Sequence, residues 1–167
     1  RISGDVGSPV FSTGPSGPLV DLEFGTTDCY TLSYSATLPL MSTGFSVVIG
    51  ANAESQPSFG GIVGHNGTDT GQYAQVRVRG TYGIEMGGWS TTRMTGYTLG
   101  KWHQFAYTDN RLNICGYIDA VKQIDIASLA VNYLPYNYLG AEYNTSRTFD
   151  GKIDYIFVYR RALSTGE

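Results

Sequence analysis

The sequence predicts an all-β domain, a sandwich or barrel of short strands, and three observations carry that expectation. Strand-length runs rich in Val, Ile, Tyr and Phe recur at short, regular intervals. Between them stand Gly, Asn, Asp, Pro and Ser, the residues that build turns. The composition agrees: the 167 residues include 22 Gly and 13 Tyr, only 15% are charged, and the net charge is -3. No stretch shows the 3.6-residue apolar period that would require a helix.

Residues 1–17, "SGDVGSPVFSTGPSGP" in the main, lack periodicity and read as a linker or as an extended strand at a sheet edge. Residues 18–167 read as one domain, because no second composition regime and no internal repeat appear. About eleven strand-like runs follow one another in it. They are "LVDLEF" (19–24), "YTLSYSA" (30–36), "FSVVIGA" (45–51), "GGIVGH" (60–65), "YAQVRVRG" (73–80) and "YGIEMG" (82–87). The second half adds "HQFAYTD" (103–109), "LNICGYID" (112–119), "VKQIDIA" (121–127), "YNYLGAEY" (136–143) and "KIDYIFVYR" (152–160). Short helical turns fit only "RALSTGE" or "ASLAVN". Alternation is clearest in "YAQVRVRG", where Ala74, Val76 and Val78 point to one face and Tyr73, Gln75, Arg77 and Arg79 to the other. That second face is either a solvated sheet surface or a platform for a sugar or another polar partner, since guanidinium forks and phenol rings suit hydroxyl-rich ligands.

Several classes are excluded. No run of ~18 apolar residues exists to cross a bilayer as a helix, and no membrane insertion is expected. No Lys/Arg stripe marks a nucleic-acid binder. The opening "RISGDVGSPV" has no apolar targeting segment, so such a segment was removed or the chain is a piece of a larger one. Cys29 and Cys115 either pair or stay as buried thiols. The sequons at Asn66 and Asn144 are no more numerous than chance allows.

Two longer segments, "LGKWHQFAYTDNRLNICGYIDAVKQ" (99–123) and "YLGAEYNTSRTFDGKIDYIFVYRRALSTGE" (138–167), carry a more specific pattern. Gly100, Trp102 and His103 open one strand, and Tyr117 and Asp119 close the next. Phe149, Gly151, Lys152, Ile153 and Asp154 begin the last strand, and Arg161, Ala162, Leu163, Ser164 and Glu167 form its tail. In this the chain resembles the laminin-G-like members of the concanavalin A-like lectin/glucanase superfamily. It departs from the pattern at Ala120, where glycine is expected. The resemblance implies a jelly-roll sandwich of two antiparallel sheets, one of them concave, with Trp102 in the core and His103 structural. It also implies a non-catalytic recognition or adhesion role.

Catalytic constellations are missing. Glycoside hydrolysis needs two carboxylates across the scissile bond, ~5–10 Å apart. Glu85 and Glu54 each stand alone in the sequence, and neither His65 nor His103 has a nucleophile in a convincing context. The chain is therefore expected not to be an enzyme. The resemblance further implies a structural Ca2+ joining the N-terminal segment to the last strand, with Asp154 and a carbonyl near Gly44 as ligands. Hard oxygen donors would offset the cost of burying the Asp154 carboxylate. Backbone N–H groups or a nearby Arg or Lys would serve equally. Trp89, between Gly-Gly and Ser-Thr-Thr, is either an exposed stacking platform or a ring folded over a sheet edge. The candidate ligand contacts are thus Trp89, Tyr73, Gln75, Arg77 and Arg79, and the expected partner is a glycan or glycoprotein outside the cell, at a cell surface or on a virion. The rival reading is a structural subunit of a virion, fibre or filament, packed against copies of itself or other subunits through a Tyr-rich surface that includes Tyr133, Tyr136, Tyr138 and Tyr143.

Overall fold

The computed structural model describes residues 2–6, 10–14, 17–24, 29–32, 44–65, 75–86, 90–128, 137–143 and 146–167. Within these, two sheets and two single-turn 3-10 segments account for the regular structure. The strands are β1 (Ile2–Val6), β2 (Val10–Gly14), β3 (Gly17–Phe24), β4 (Cys29–Leu32), β5 (Phe45–Ala53), β6 (Gly60–Gly64), β7 (Val76–Val78) and β8 (Ile84–Met86). The remainder are β9 (Trp102–Asp109), β10 (Asn113–Ile118), β11 (Val121–Ala127), β12 (Tyr138–Leu139), β13 (Ala141–Tyr143), β14 (Ser146–Thr148) and β15 (Gly151–Tyr159).

The seven-stranded sheet runs β11-β10-β9-β5-β15-β3-β2. The eight-stranded sheet runs β1-β4-β12-β6-β14-β13, with β7 beside β6 and β8 beside β7. All pairings are antiparallel except β14 with β6. Within the N-terminal segment, residues 2–6 and 10–14 are strands built into the sandwich: β1 joins one sheet through β4, and β2 joins the other through β3.

The core lies between the sheets. Phe45, Val47, Ile49 and Ala51 on β5, with Phe105 and Tyr107 on β9, meet Ile62, Val76, Val78, Ile84 and Met86 from the opposite sheet. The period-2 alternation of each strand produces this, since every second side chain is sent inward. Tyr107 ties the layers together. Its fully buried hydroxyl donates to the carbonyl of Thr92 at 2.8 Å, with that of Ile84 at 3.1 Å. Burial, then the nearby Glu85 charge, pushes its pKa well above the usual phenol value.

Trp102 is half-buried at the start of β9, not in the core as expected. Phe105 and Tyr107 take the inward positions of β9, so strand alternation places Trp102 with Gln104 and Ala106 on the outer face. His103 beside it holds the β10–β11 hairpin: its Nδ1 donates to Asp119 at 2.7 Å, and its Nε2 accepts from the Thr98 N–H at 2.9 Å. Burial works to raise the Asp119 pKa, but the Gln104 N–H and the His103 ring outweigh it and hold the carboxyl below its usual range. Cys29 is on the eight-stranded sheet and Cys115 on the seven-stranded one, and no disulfide joins them.

Ile118 pairs with Val121, so Asp119 and Ala120 form a two-residue hairpin loop, and both have positive φ, 50° and 63°. A type I′ turn demands this of both residues, and asparagine or aspartate followed by glycine satisfies it with least strain. Ala120 carries a Cβ in that conformation, which costs about 1 kcal/mol. Ala120→Gly is therefore expected to stabilise the domain by up to about 1 kcal/mol, less the extra unfolded-state entropy of glycine. Urea unfolding with an unchanged slope checks this; a fall in the midpoint would show that the methyl group packs usefully.

The last strand changes its facing halfway. Ile153 pairs with Ala51 and Tyr155 with Gly50, so Asp154 is the extra residue of a β-bulge. Beyond it, Tyr155, Phe157 and Tyr159 share the outer face with Gly50, Val48 and Ser46, while Ile156 packs against the core. Asp154 itself is half-buried. The carboxylate that looked costly inside an apolar run thus sits where the ladder is interrupted.

Candidate functional site

The expected ligand face of "YAQVRVRG" is only partly a surface. Val76 and Val78 do face the core, at 0% exposure, but Gln75 and Arg77 on the other face are 4% and 5% exposed. The expectation of a wet row at these two positions is corrected by what covers them. β13, whose partner β14 is hydrogen-bonded to β6 in the same sheet, packs its backbone closely over β6. Gly61 and Gly64 make room: a Cβ on Gly61 would meet the Glu142 nitrogen at 2.1 Å, and one on Gly64 the Glu142 oxygen at 1.9 Å. That approach delivers the Glu142 side chain to the arginine row.

Two carboxylates, Glu85 and Glu142, are fully buried there. Arg77 stands opposite Glu85 in the β7–β8 register. Its Nε and Nη2 each lie 2.7 Å from Glu85 Oε1, and its Nη1 donates to Glu142 Oε1. Gln75 Nε2 donates to Glu142 Oε1 at 2.8 Å. Arg93 Nε donates to Glu85 Oε2 at 2.7 Å, and Arg147 Nη1 to Glu142 Oε2 at 3.3 Å. Arg79 Nε is 4.0 Å from Glu85. Charges this deep are tolerated only when each is paired and hydrogen-bonded.

Above the carboxylates the network reaches solvent as cations and rings. The side chains of Arg79, Arg93 and Arg147 remain about a quarter exposed while both glutamates are at 0%. The Phe59 ring takes the guanidinium carbons of Arg79, Arg147 and Arg77 at 3.6, 4.1 and 5.0 Å from its centroid. Arg93 lies 4.7 Å over Tyr82, which is 59% exposed. The Arg79 Nη1 atom has no protein acceptor.

The candidate residues therefore separate. Gln75 and Arg77 belong to the buried network, Arg79 to its rim, and Trp89 and Tyr73 fall outside the described residues, as do Asn66 and Asn144. Glu85 is not alone: Arg77 and Arg93 pair with it, and Arg93 escaped sequence reading, as did Glu142 and its partner Arg147. Glu142 is 65 positions from Arg77, and no local spacing marks such a contact. Every oxygen of Glu85 and Glu142 is taken by guanidinium or amide donors and sealed from water, so neither carboxylate can work on a glycosidic bond. Of the tyrosines in 133–143, Tyr138 is 8% exposed and packs with Cys29 and Ala141, so it is not an anchor for a partner.

The metal pair is not brought together either. Asp154 lies between the partners of Gly50 and Ala51, whereas Gly44 precedes the far end of β5. Six residues of strand put about 20 Å between them. Asp154 and Gly44 thus cannot share one ion. Among the described residues no cluster of three His, Cys, Asp or Glu side chains is placed to hold a metal.

A two-sheet β-sandwich with its polar network outside the core defines the class of this protein. The model of the concanavalin A-like lectin/glucanases superfamily matches residues 24–167, and the chain belongs to that superfamily. Comparison with curated proteins finds no match. Among solved structures, domain 4 of an extracellular GH43 arabinanase from Geobacillus stearothermophilus, in complex with arabinotriose, is similar at 17% identity and a TM-score of 0.64, over 99% of this chain and 84% of that one. The CBM40 of Ruminococcus gnavus IT-sialidase, bound to α2,3-sialyllactose, is similar at 16% identity and 0.63, over 87% and 92%. A botulinum neurotoxin type C structure, described as entering cells through two ganglioside molecules, is similar at 12% identity and 0.67, over 99% of this chain but 44% of that one. At these identities the likeness establishes the fold.

Proposed function

We propose that this chain is a non-catalytic glycan-recognition module acting outside the cell, and that its ligand at the arginine face is an acidic glycan. One observation carries the reading: among the described residues of that face, both carboxylates are fully buried while three arginines and two aromatic rings reach the surface. Guanidinium forks pair with carboxylate or sulfate, and rings such as Phe59 and Tyr82 offer an apolar face to a sugar. Two domains of the same fold, matched over most of their length, are described with oligosaccharides bound, which supports the glycan class.

The test is a calorimetric titration with sialyllactose and trigalacturonate, against neutral lactose and galactotriose. The acidic sugars are expected to bind, more weakly as salt is raised, and Arg79→Gln or Phe59→Ala to weaken binding about tenfold. No acidic binding at millimolar sugar, or equal binding of the neutral set, removes the proposal.

A structural calcium at Asp154 is kept as part of it, with ligands other than Gly44. The β3 strand pairs Leu22 with Ile153, so Asp21 and Asp154 are the next residues on the two strands. A chelator is expected to lower the melting temperature; an unchanged melt removes the ion.

A further inference from the structure

The opposite outer face carries a second concavity. The β-bulge at Asp154 turns Tyr155, Phe157 and Tyr159 outward on the seven-stranded sheet, and strand register then defines what they face. Phe157 pairs with Val48, Val48 with Ala106, and Ala106 with Tyr117, which makes one transverse row over β15, β5, β9 and β10. The row is tall at both ends and short in the middle. Its walls are Phe157 and Tyr117, and its floor is Val48 and Ala106. Three strand spacings set the walls about 14 Å apart at the backbone. The next row continues the floor with Ser46 and Thr108 under Tyr159.

Both ends of this trough are closed. At one end Gln104 Nε2 donates to the Tyr155 hydroxyl at 2.8 Å, and the Tyr155 ring lies over Gly50, where a Cβ would meet it at 2.5 Å. At the other end the tail folds back. Ser46 Oγ accepts from the Leu163 N–H at 2.8 Å and donates to the Arg161 carbonyl at 3.0 Å. Glu167 then clasps Arg161 and accepts from Ser164. Tyr155 and Phe157 stack at 5.2 Å and 24°, so their wall is continuous.

We propose that this trough is a second binding site, and that its ligand is a short neutral saccharide. Its volume, 440 Å³, falls within the roughly 300–1,000 Å³ of small-ligand pockets, not the open face of a protein interface. Its charges are spent internally: Lys122 pairs with Asp125 at 2.7 Å, and Glu167 with Arg161. What remains for a ligand is aromatic wall and the hydroxyls of Thr108, Tyr117 and Thr165, which match the C–H faces and hydroxyls of an uncharged sugar. Phe157, at 52% exposure, is the most exposed of its aromatic rings. This site stands independently of the arginine face.

The test is an NMR titration of the labelled domain with cellotriose, xylotriose, mannotriose and arabinotriose, each to millimolar concentration. At least one is expected to shift the amides of Val48, Ala106 and Thr108. Phe157→Ala and Tyr117→Ala are expected to weaken that binding at least tenfold, and Ala106→Trp, which fills the floor, to abolish it, with melting curves confirming that each variant folds. Silence from all four sugars overturns the proposal. So do shifts that persist in Ala106→Trp, and so does sedimentation showing wild-type dimers that Phe157→Ala dissolves. Running the acidic-sugar titration on the Phe157→Ala sample separates the two sites, since either can fail while the other binds.

Discussion

Arg77→Met is expected to destabilise the domain by about 3–5 kcal/mol, the cost of stranding buried charges by removing their partner. Arg77 is the bridge between two glutamates that are both fully buried. Methionine fills much of the same volume but supplies no donor. Glu85 would keep Arg93, and Glu142 would keep Arg147 and Gln75. Each would lose its most deeply buried cation, and the two negative charges would then face each other across an apolar side chain.

The loss is read as a lower urea midpoint. The triple variant Arg77→Met, Glu85→Met, Glu142→Met is expected to recover most of it, because a packed apolar replacement of a whole buried ion cluster is commonly near neutral. The arginines left behind, Arg79, Arg93 and Arg147, are partly exposed and can be hydrated. A single variant costing under about 1 kcal/mol would show that the pair is solvated or protonated cheaply, and the network would then be a surface feature.

The second large effect concerns glycine. Gly64→Ala is expected to cost about 3 kcal/mol or more, at the upper end of overpacking, because the atoms in its way are backbone. A Cβ there would lie 1.9 Å from the Glu142 carbonyl oxygen and 2.3 Å from that of Ala141. Neither can swing aside as a side chain would, so β13 must lift off β6. Lifting it withdraws Glu142 from Arg77, and the glycine and ion-network effects should therefore be coupled. Gly64→Ala combined with Arg77→Met is expected to cost less than the sum of the two. Gly96→Ala is the control: its nearest neighbour would be the Gln123 side chain at 3.5 Å, an ordinary contact, and its stability should hardly change. A Gly64→Ala domain as stable as the parent would mean that β13 does not pack over β6 in solution.

Much of the fold was legible. Most of the strand runs read from Gly/Pro/Asn punctuation became strands, and the inward placing of Val76 and Val78 followed from period-2 alternation alone. The hairpin at Asp119 and Ala120 was legible too, including its departure from glycine. The candidate site was legible only in part. "QVRVR" announced a polar face, but not that a further strand would cover it, because burial of that face depends on a chain segment some 65 positions away. Nothing near Glu142 or Arg147 marks them as partners of Arg77.

The closing strand shows where the division falls. "KIDYIFVY" determined by itself that a strand forms here, since its β-branched and aromatic run suits no other element, and the same residues carried the resemblance to the superfamily. Composition likewise determined an all-β chain with few charges. Which side Tyr155, Phe157 and Tyr159 face was decided only by the tertiary structure. A run that is bulky on both faces has no preferred register of its own, and the bulge at Asp154 appears only once β5 is in place to count residues against. The same reason removed Gly44 from the neighbourhood of Asp154 and gathered four arginines over two glutamates. Local periodicity sets elements; contacts between distant strands are set by pairing and packing, and it is those contacts that build the two candidate sites.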